Sequence, residues 1–320
     1  MGVGVYKNAN ILVTGGTGFV GVNLISRLLS LSAKVRATIH RRDPVIKDQR
    51  IEYLKVDLTK LEDCQKAAAG MDYVFMCAAN TSGAAVMEKT PLVHLTPNLM
   101  MNALMLEASY AAGVKKFLFI SSNTVYPVTE HPAAENNVTN EFYNKYFIVA
   151  WMKRFSEIMC EMYATKIRKP MTTIVLRPAN IYGPYDDFEW ETSHVLPALI
   201  RRVVERHDPM VIWGDGTDIK DFIYVDDMID GMVLAMEKLD HFDFLNIASG
   251  KQHVLKDLIK LMLKIDGYKD ALVKFDTSKP VMIPKRLIDP RKAKEVLGFE
   301  VKTPIEEGLR KTIAWYRSSR

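Results

Sequence analysis

The 320-residue chain is 48% hydrophobic and 25% charged, enough apolar material for one large domain with a smaller partner and too much for a disordered or fibrous protein. Its 43 basic and 38 acidic residues leave a formal net charge of +5 spread along the chain, which points to local anion pockets and away from nucleic acid. No apolar run approaches the roughly 18 residues that span a bilayer, and the stretch from Met1 to Lys7 lacks a signal-peptide core, so a cytoplasmic location without membrane contact is expected.

The first predicted strand is Ile11 to Val13. It runs into the turn Thr14-Gly15-Gly16-Thr17-Gly18-Phe19-Val20-Gly21, and a helix is predicted over Asn23 to Leu31. Strand, glycine-rich turn and helix in that order form a phosphate cradle: Gly15 takes the tight turn, Gly18 admits a pyrophosphate to the backbone, and Gly21 lets helix and strand pack closely. Further strand-like runs follow at Val35 to Ile39, Tyr73 to Cys77, Phe117 to Ile120 and Thr173 to Leu176, separated by helical stretches such as Asn98 to Ala112. This alternation predicts an α/β fold, a doubly wound parallel sheet of Rossmann type with ligands at the carboxyl ends of its strands.

After Leu176 the chain becomes richer in Pro, Gly and Asp, with helices predicted at Leu196 to Glu205 and Asp227 to Lys238. Residues 1–176 are therefore expected to form the dinucleotide-binding domain, and residues 177–320 a smaller mixed domain, with a segment near 240–250 returning to the first. Cys64, Cys77 and Cys160 make no CxxC pair, and Cys and His never cluster at ligand spacing, so neither disulfide nor metal is expected.

The second strand ends in His40-Arg41-Arg42, where a carboxylate would favour NAD and a cation the extra phosphate of NADP. NADP is the expected cofactor, with NAD possible. Asp57 and Leu58 follow the next short strand where they can cap the adenine, and Ala78-Ala79 supply small residues along the cofactor's path.

The motifs TGGTGFVG, DLT, CAAN, SSNTVYP, RPANIYGP, WGDGTDIKDFIYVDD and DPRKAKEVLGF stand in an order that resembles the extended short-chain dehydrogenase/reductase (NAD-dependent epimerase/dehydratase) family over nearly the whole chain. Within it, Ser193 to Ile200, Tyr182 to Phe188 and Trp213 to Thr217 are most similar to the GDP-fucose synthase branch. The resemblance implies hydride transfer at a ring carbon such as C4 of a nucleoside-diphosphate sugar, a GDP-hexose or GDP-heptose. It also implies a homodimer through two long helices, here the stretches around Asn98 to Ala112 and Val149 to Thr165.

For the cofactor, the resemblance implies Gly15, Thr17, Gly18, Phe19, Val20, Lys153 and Pro178 as contacts. For catalysis it implies Ser122, which polarises the sugar oxygen, and Lys153, which has the family's spacing to Glu157. His194 matches an acid/base histidine. Two positions depart from the pattern: Val149 stands where the proton-transferring tyrosine belongs, and Thr124 where the epimerising cysteine belongs. Water, Tyr146, Thr124 or His194 are the candidates to restore proton transfer. Ser82, Gly83, Asn123, Asn180, Lys220 and Arg286 are the implied substrate contacts, Lys220 replacing a usual arginine. A binding protein with lost or altered catalysis is the alternative that Val149 raises.

Overall fold

The computed structural model describes residues 4–81, 86, 90–279 and 281–320. The chain first lays down β1 (Asn10–Val13), β2 (Lys34–Ile39), β3 (Ile51–Lys55), β4 (Tyr73–Met76), β5 (Lys116–Ile120) and β6 (Thr172–Pro178). It continues through β7 (Asn180–Tyr182), β8 (Met210–Trp213), β9 (Ile219–Lys220), β10 (Phe222–Tyr224) and β11 (Asp243–Ile247). The last strands are β12 (His253–Val254), β13 (Val273–Asp276) and β14 (Lys285–Arg286).

Seven strands form one parallel sheet in the order β11-β6-β5-β4-β1-β2-β3. The order reverses at β1, whose neighbours are β2 and β4, so the loops after β1 and β4 diverge to opposite faces and leave a crevice between them. The fold class read from the alternating pattern is the one observed.

Period-two alternation on a sheet buried on both faces explains why its strands read as continuous apolar runs. Ile11, Val13, Phe75, Leu118 and Ile174 face Leu24, Ile25 and Leu28 of the helix Phe19–Ser30, together with Met228 and Met232 of the helix Val225–Lys238. Leu12, Val74, Phe117 and Val175 face the other way, onto Cys64, Met105, Leu106 and Cys160 from the helices Leu61–Ala68, Thr96–Ala111 and Phe147–Thr165. The buried Cys64 and Cys160 thus act as small core residues, and all three cysteines are free thiols.

Beyond β6 the chain builds small sheets: β10 beside β7, β13 beside β8, and the three-stranded set β12-β9-β14. In that set Lys220 of β9 stands opposite His253 on one side and Arg286 on the other, which lines up basic side chains from three separate segments. Among the described residues, no helix is long and apolar enough to cross a membrane.

Candidate active site

The turn after β1 is closed by contacts that leave no room for a side chain. Gly15 has φ +68°, and a Cβ there would lie 2.8 Å from the Ala78 Cα; a Cβ on Gly21 would lie 2.2 Å from the Gly15 carbonyl oxygen. The helix begins at Phe19, four residues earlier than its apolar spacing predicts, because Gly18 serves as an extended N-cap without a capping side chain. Its first helical bond runs from the Val22 N–H to the Gly18 carbonyl at 2.9 Å. The amides of Phe19, Val20 and Gly21 therefore have no acceptor within the helix, and no acid in the first turn competes for them. A bare backbone cradle of this kind fits a pyrophosphate.

Thr14 and Thr38, to which the sequence reading gave no role, hold the cradle in shape. The Thr14 hydroxyl oxygen accepts the N–H groups of Cys77 (3.0 Å) and Ala78 (2.9 Å), tying the ends of β1 and β4 together. The Thr38 hydroxyl oxygen accepts the Gly15 N–H at 3.0 Å. Their only signal in the sequence is a hydroxyl at the carboxyl end of an apolar strand. Ala78 and Ala79 follow β4 directly beside this turn. His40, Arg41 and Arg42 are exposed past the end of β2. The Asp57 carboxylate accepts from the Thr59 amide (3.0 Å) and hydroxyl (2.7 Å), which hold its pKa below the usual range, while Leu58 is buried.

The helix Phe147–Thr165 brings Lys153 to the ends of β4 and β5. The Lys153 Nζ donates to the Ile120 carbonyl at 2.8 Å, lies 4.9 Å from the Phe119 ring centre, and is close enough to Cys77 for their charges to interact. Burial pushes its pKa down to about 8, against the pull of Glu157. One turn on, Glu157 is fully buried and locks the helix to the sheet. It accepts from the Ser121 hydroxyl (2.6 Å), from Arg177 Nε (2.8 Å) and Nη2 (2.7 Å), and from Arg154 (3.1 Å). Burial opposes the Arg177 charge, but the Glu157 carboxylate outweighs it and holds the guanidinium pKa above its ordinary value.

Ser122 follows this locked segment, so it and Lys153 are brought to the same strand end. The Ser122 oxygen accepts from the Thr124 amide (3.2 Å) and hydroxyl (3.0 Å). Its own proton is left for an outside acceptor. Val149 lies one turn before Lys153 on the same helix face, and a valine there moves no proton.

Tyr146 is placed differently. It lies near enough to Arg286 and Ile283 for both to favour its ionised form, burial outweighs them and pushes its pKa up to about 12, and no hydrogen bond joins it to Ser122 or Lys153 among the described residues. Helical spacing puts Tyr146 two turns from Lys153 on a shared face; in the structure it ends a 3-10 turn, Asn144–Tyr146, just before the helix, with Arg286 of β14 among its electrostatic neighbours. His194 precedes the helix Val195–Val204; desolvation holds its pKa below the histidine range, opposed by Asp187 and aided by His94.

Arg286 is 3% exposed, donates to the carbonyls of Pro127 (2.7 Å) and Tyr126 (3.2 Å), and keeps a buried Nε without a partner. Lys220 pairs with Asp218 at 3.2 Å and also donates to the Ile283 carbonyl, so part of its charge is already spoken for. The side-chain amide of Asn180 donates to the Asp221 carbonyl (2.8 Å), and that of Asn123 to the Pro178 carbonyl (3.0 Å). Ser82 and Gly83 lie outside the described residues. Buried polar atoms without partners also include Asp186 Oδ2 and Ser193 Oγ, both within the branch-like segments of the sequence, and His94 Nε2, which lies in no motif. Among the described residues, no group of three His, Cys, Asp or Glu side chains gathers to hold a metal.

The sequence profile of the NAD dependent epimerase/dehydratase family matches residues 11–248, from β1 past β11. The chain belongs to that family. It is an NAD(P)-dependent enzyme of the epimerase/dehydratase kind. Its similarity to curated proteins spans nearly its whole length: 32% identity to a probable GDP-L-fucose synthase of Oryza sativa, over 97% of this chain and 92% of that one, and 28% to the GDP-L-fucose synthase of Escherichia coli, over 96% of each. Among solved structures, the UDP-glucose 4-epimerase of Thermotoga maritima with UDP-glucose superposes with a TM-score of 0.86 at 30% identity, covering 97% of this chain and 99% of that one.

Proposed function

We propose that this protein binds NADP, or NAD, along the glycine turn and acts on a nucleoside-diphosphate sugar, GDP-linked, by hydride transfer at a ring carbon such as C4. The observation that carries the reading is the meeting of three features at one sheet edge: the backbone cradle at Gly15 to Gly21, the free proton of Ser122, and the buried amine of Lys153. When bound, the nicotinamide supplies the hydride acceptor or donor.

The chain's residues do the rest. The amides of Phe19, Val20 and Gly21 hold the pyrophosphate, and Arg41 and Arg42 beyond β2 favour the extra phosphate of NADP. Lys153 orients the nicotinamide ribose, and Ser122 donates a hydrogen bond that steadies and polarises the reacting sugar oxygen. Arg286, with its unpartnered Nε, and Lys220 face the sugar nucleotide's diphosphate, with Asn180 beside them. Residues 1–176 and the returning strand β11 carry the cofactor, and residues 177–320 carry the sugar nucleotide. The names of the curated relatives favour GDP over UDP as the base.

The exposed stripe Phe147, Trp151 and Phe155, at four-residue spacing on one helix, continues to Met162 and is flanked by Met100 and Tyr110 of the helix Thr96–Ala111. A contiguous apolar face on two long helices fits a second copy of the chain.

A second reading, a sugar-nucleotide and dinucleotide binder with lost catalysis, is favoured by Val149 alone. The two separate by following nicotinamide absorbance with NADPH, NADH and their oxidised forms against GDP-, UDP- and dTDP-linked sugars. The first reading expects a change with at least one pair. Binding of both ligands by calorimetry with no change in any mixture supports the second, and absence of binding refutes both.

A further inference from the structure

His94 ends the 3-10 turn Pro91–His94, in the connection between β4 and β5 that starts beside the glycine turn. Its side chain is 3% exposed. Its Nδ1 lies 3.0 Å from the Asn80 carbonyl, and a carbonyl can only accept, so in the neutral imidazole Nδ1 carries the proton and Nε2 presents a lone pair. That lone pair is buried and has no partner.

The geometry is held from several sides. Asn98 donates to the carbonyls of Asn80 (2.9 Å) and His94 (2.6 Å) and accepts the Asn80 N–H (2.7 Å), and the Asn80 side chain donates to the Val93 carbonyl (3.0 Å). A ring clamped so firmly cannot swing to find water, and an orphaned buried acceptor is a standing loss unless something else completes it. The turn that carries His94 packs against the helix Phe147–Thr165, which brings Lys153 to the sheet. The lone pair therefore lies in the part of the fold that adjoins the proposed active site.

What completes an imidazole acceptor must be a donor. A phosphate oxygen and a carbonyl are excluded by that requirement, and a sugar hydroxyl meets it. We propose that His94 reads the sugar of the bound nucleotide, its Nε2 accepting a hydrogen bond from a hexose hydroxyl. The proposal rests on the function proposed above and names a specificity-determining residue for it.

The test compares affinities for GDP-mannose against GDP, and UDP-glucose against UDP, by titration calorimetry on the full chain with NADPH present. His94→Phe keeps a flat ring but removes the acceptor. It is expected to lower the ratio of sugar-nucleotide to diphosphate affinity about fivefold to tenfold, with diphosphate affinity itself within about twofold of wild type. His94→Gln, whose amide can donate to Asn80 and still present an oxygen, is expected to retain most of the ratio. An unchanged ratio in His94→Phe overturns the proposal.

In the wild-type protein, the Nε2 NMR signal of His94 should move on adding the sugar nucleotide and stay in place with the diphosphate alone. A signal unmoved by both sugar nucleotides overturns the proposal even if the variants do not fold. Failure of the wild type to bind either diphosphate refutes the proposed function itself, a result distinct from loss of the His94 effect alone.

Discussion

Lys153 gives the sharpest quantitative test, because its proposed role and its effect on stability have opposite signs. Burial lowers its pKa from the ordinary 10.5 to about 8. That drop corresponds to about 3 kcal/mol of unfavourable burial when the amine is charged. Replacing it by Met removes the charge and keeps most of the packing, but forfeits the 2.8 Å bond to the Ile120 carbonyl, worth about 1 kcal/mol.

Lys153→Met is therefore expected to be more stable than wild type by about 2 kcal/mol at pH 7, which is about 3 °C in Tm for a chain of this size. The sign with pH follows from proton counts. Below about pH 8 both folded and unfolded wild type carry the charged amine, so the full burial cost is present. Between about pH 8 and 10.5 the unfolded chain holds the proton more tightly, wild-type stability rises with pH, and the advantage of the variant shrinks and then disappears. Urea unfolding of both proteins at pH 7 and pH 10, read by circular dichroism, measures this directly. Equal differences at the two pH values, or a variant weaker at pH 7, would refute the burial argument. Calorimetry with NADPH should show the cost: affinity falling at least tenfold in the more stable protein.

Other outcomes follow from the same geometry. Gly21→Ala places a Cβ 2.2 Å from the Gly15 carbonyl, so it should weaken dinucleotide affinity more than about tenfold and lower Tm by several degrees, measured by calorimetry and melting. Val149→Tyr restores a phenol one turn from Lys153; under the proposed function, initial rates with the responding sugar nucleotide should rise by about 10²-fold. An unchanged rate would show that proton transfer is not limiting. Light scattering at micromolar concentration should give twice the chain mass of 36.3 kDa, and Trp151→Glu in the middle of the exposed stripe should give the single mass.

The sequence by itself determined the parts governed by short-range pattern. The apolar runs at Ile11 to Val13 and Phe117 to Ile120 needed only their neighbours to be read as strands, and the glycines at 15 and 21 stand where backbone crowding permits nothing larger. Lys153 was picked out by its resemblance to the family's lysine-to-glutamate spacing with Glu157, and that both sit on one helix face follows from four-residue spacing.

What only tertiary structure decided was where separate segments meet. Helical periodicity places Tyr146 two turns from Lys153, but that Arg286, 140 residues further on, becomes its electrostatic neighbour is set by the packing of the later segment. Lys220, Arg286 and His253 are more than thirty residues apart in sequence and become neighbours only because three two-residue strands pair in one register. His94 carries no motif at all. Its significance comes from a clamp by Asn80 and Asn98 and from an acceptor left dry, and hydrogen-bond satisfaction is a property of the packed molecule that no local pattern encodes.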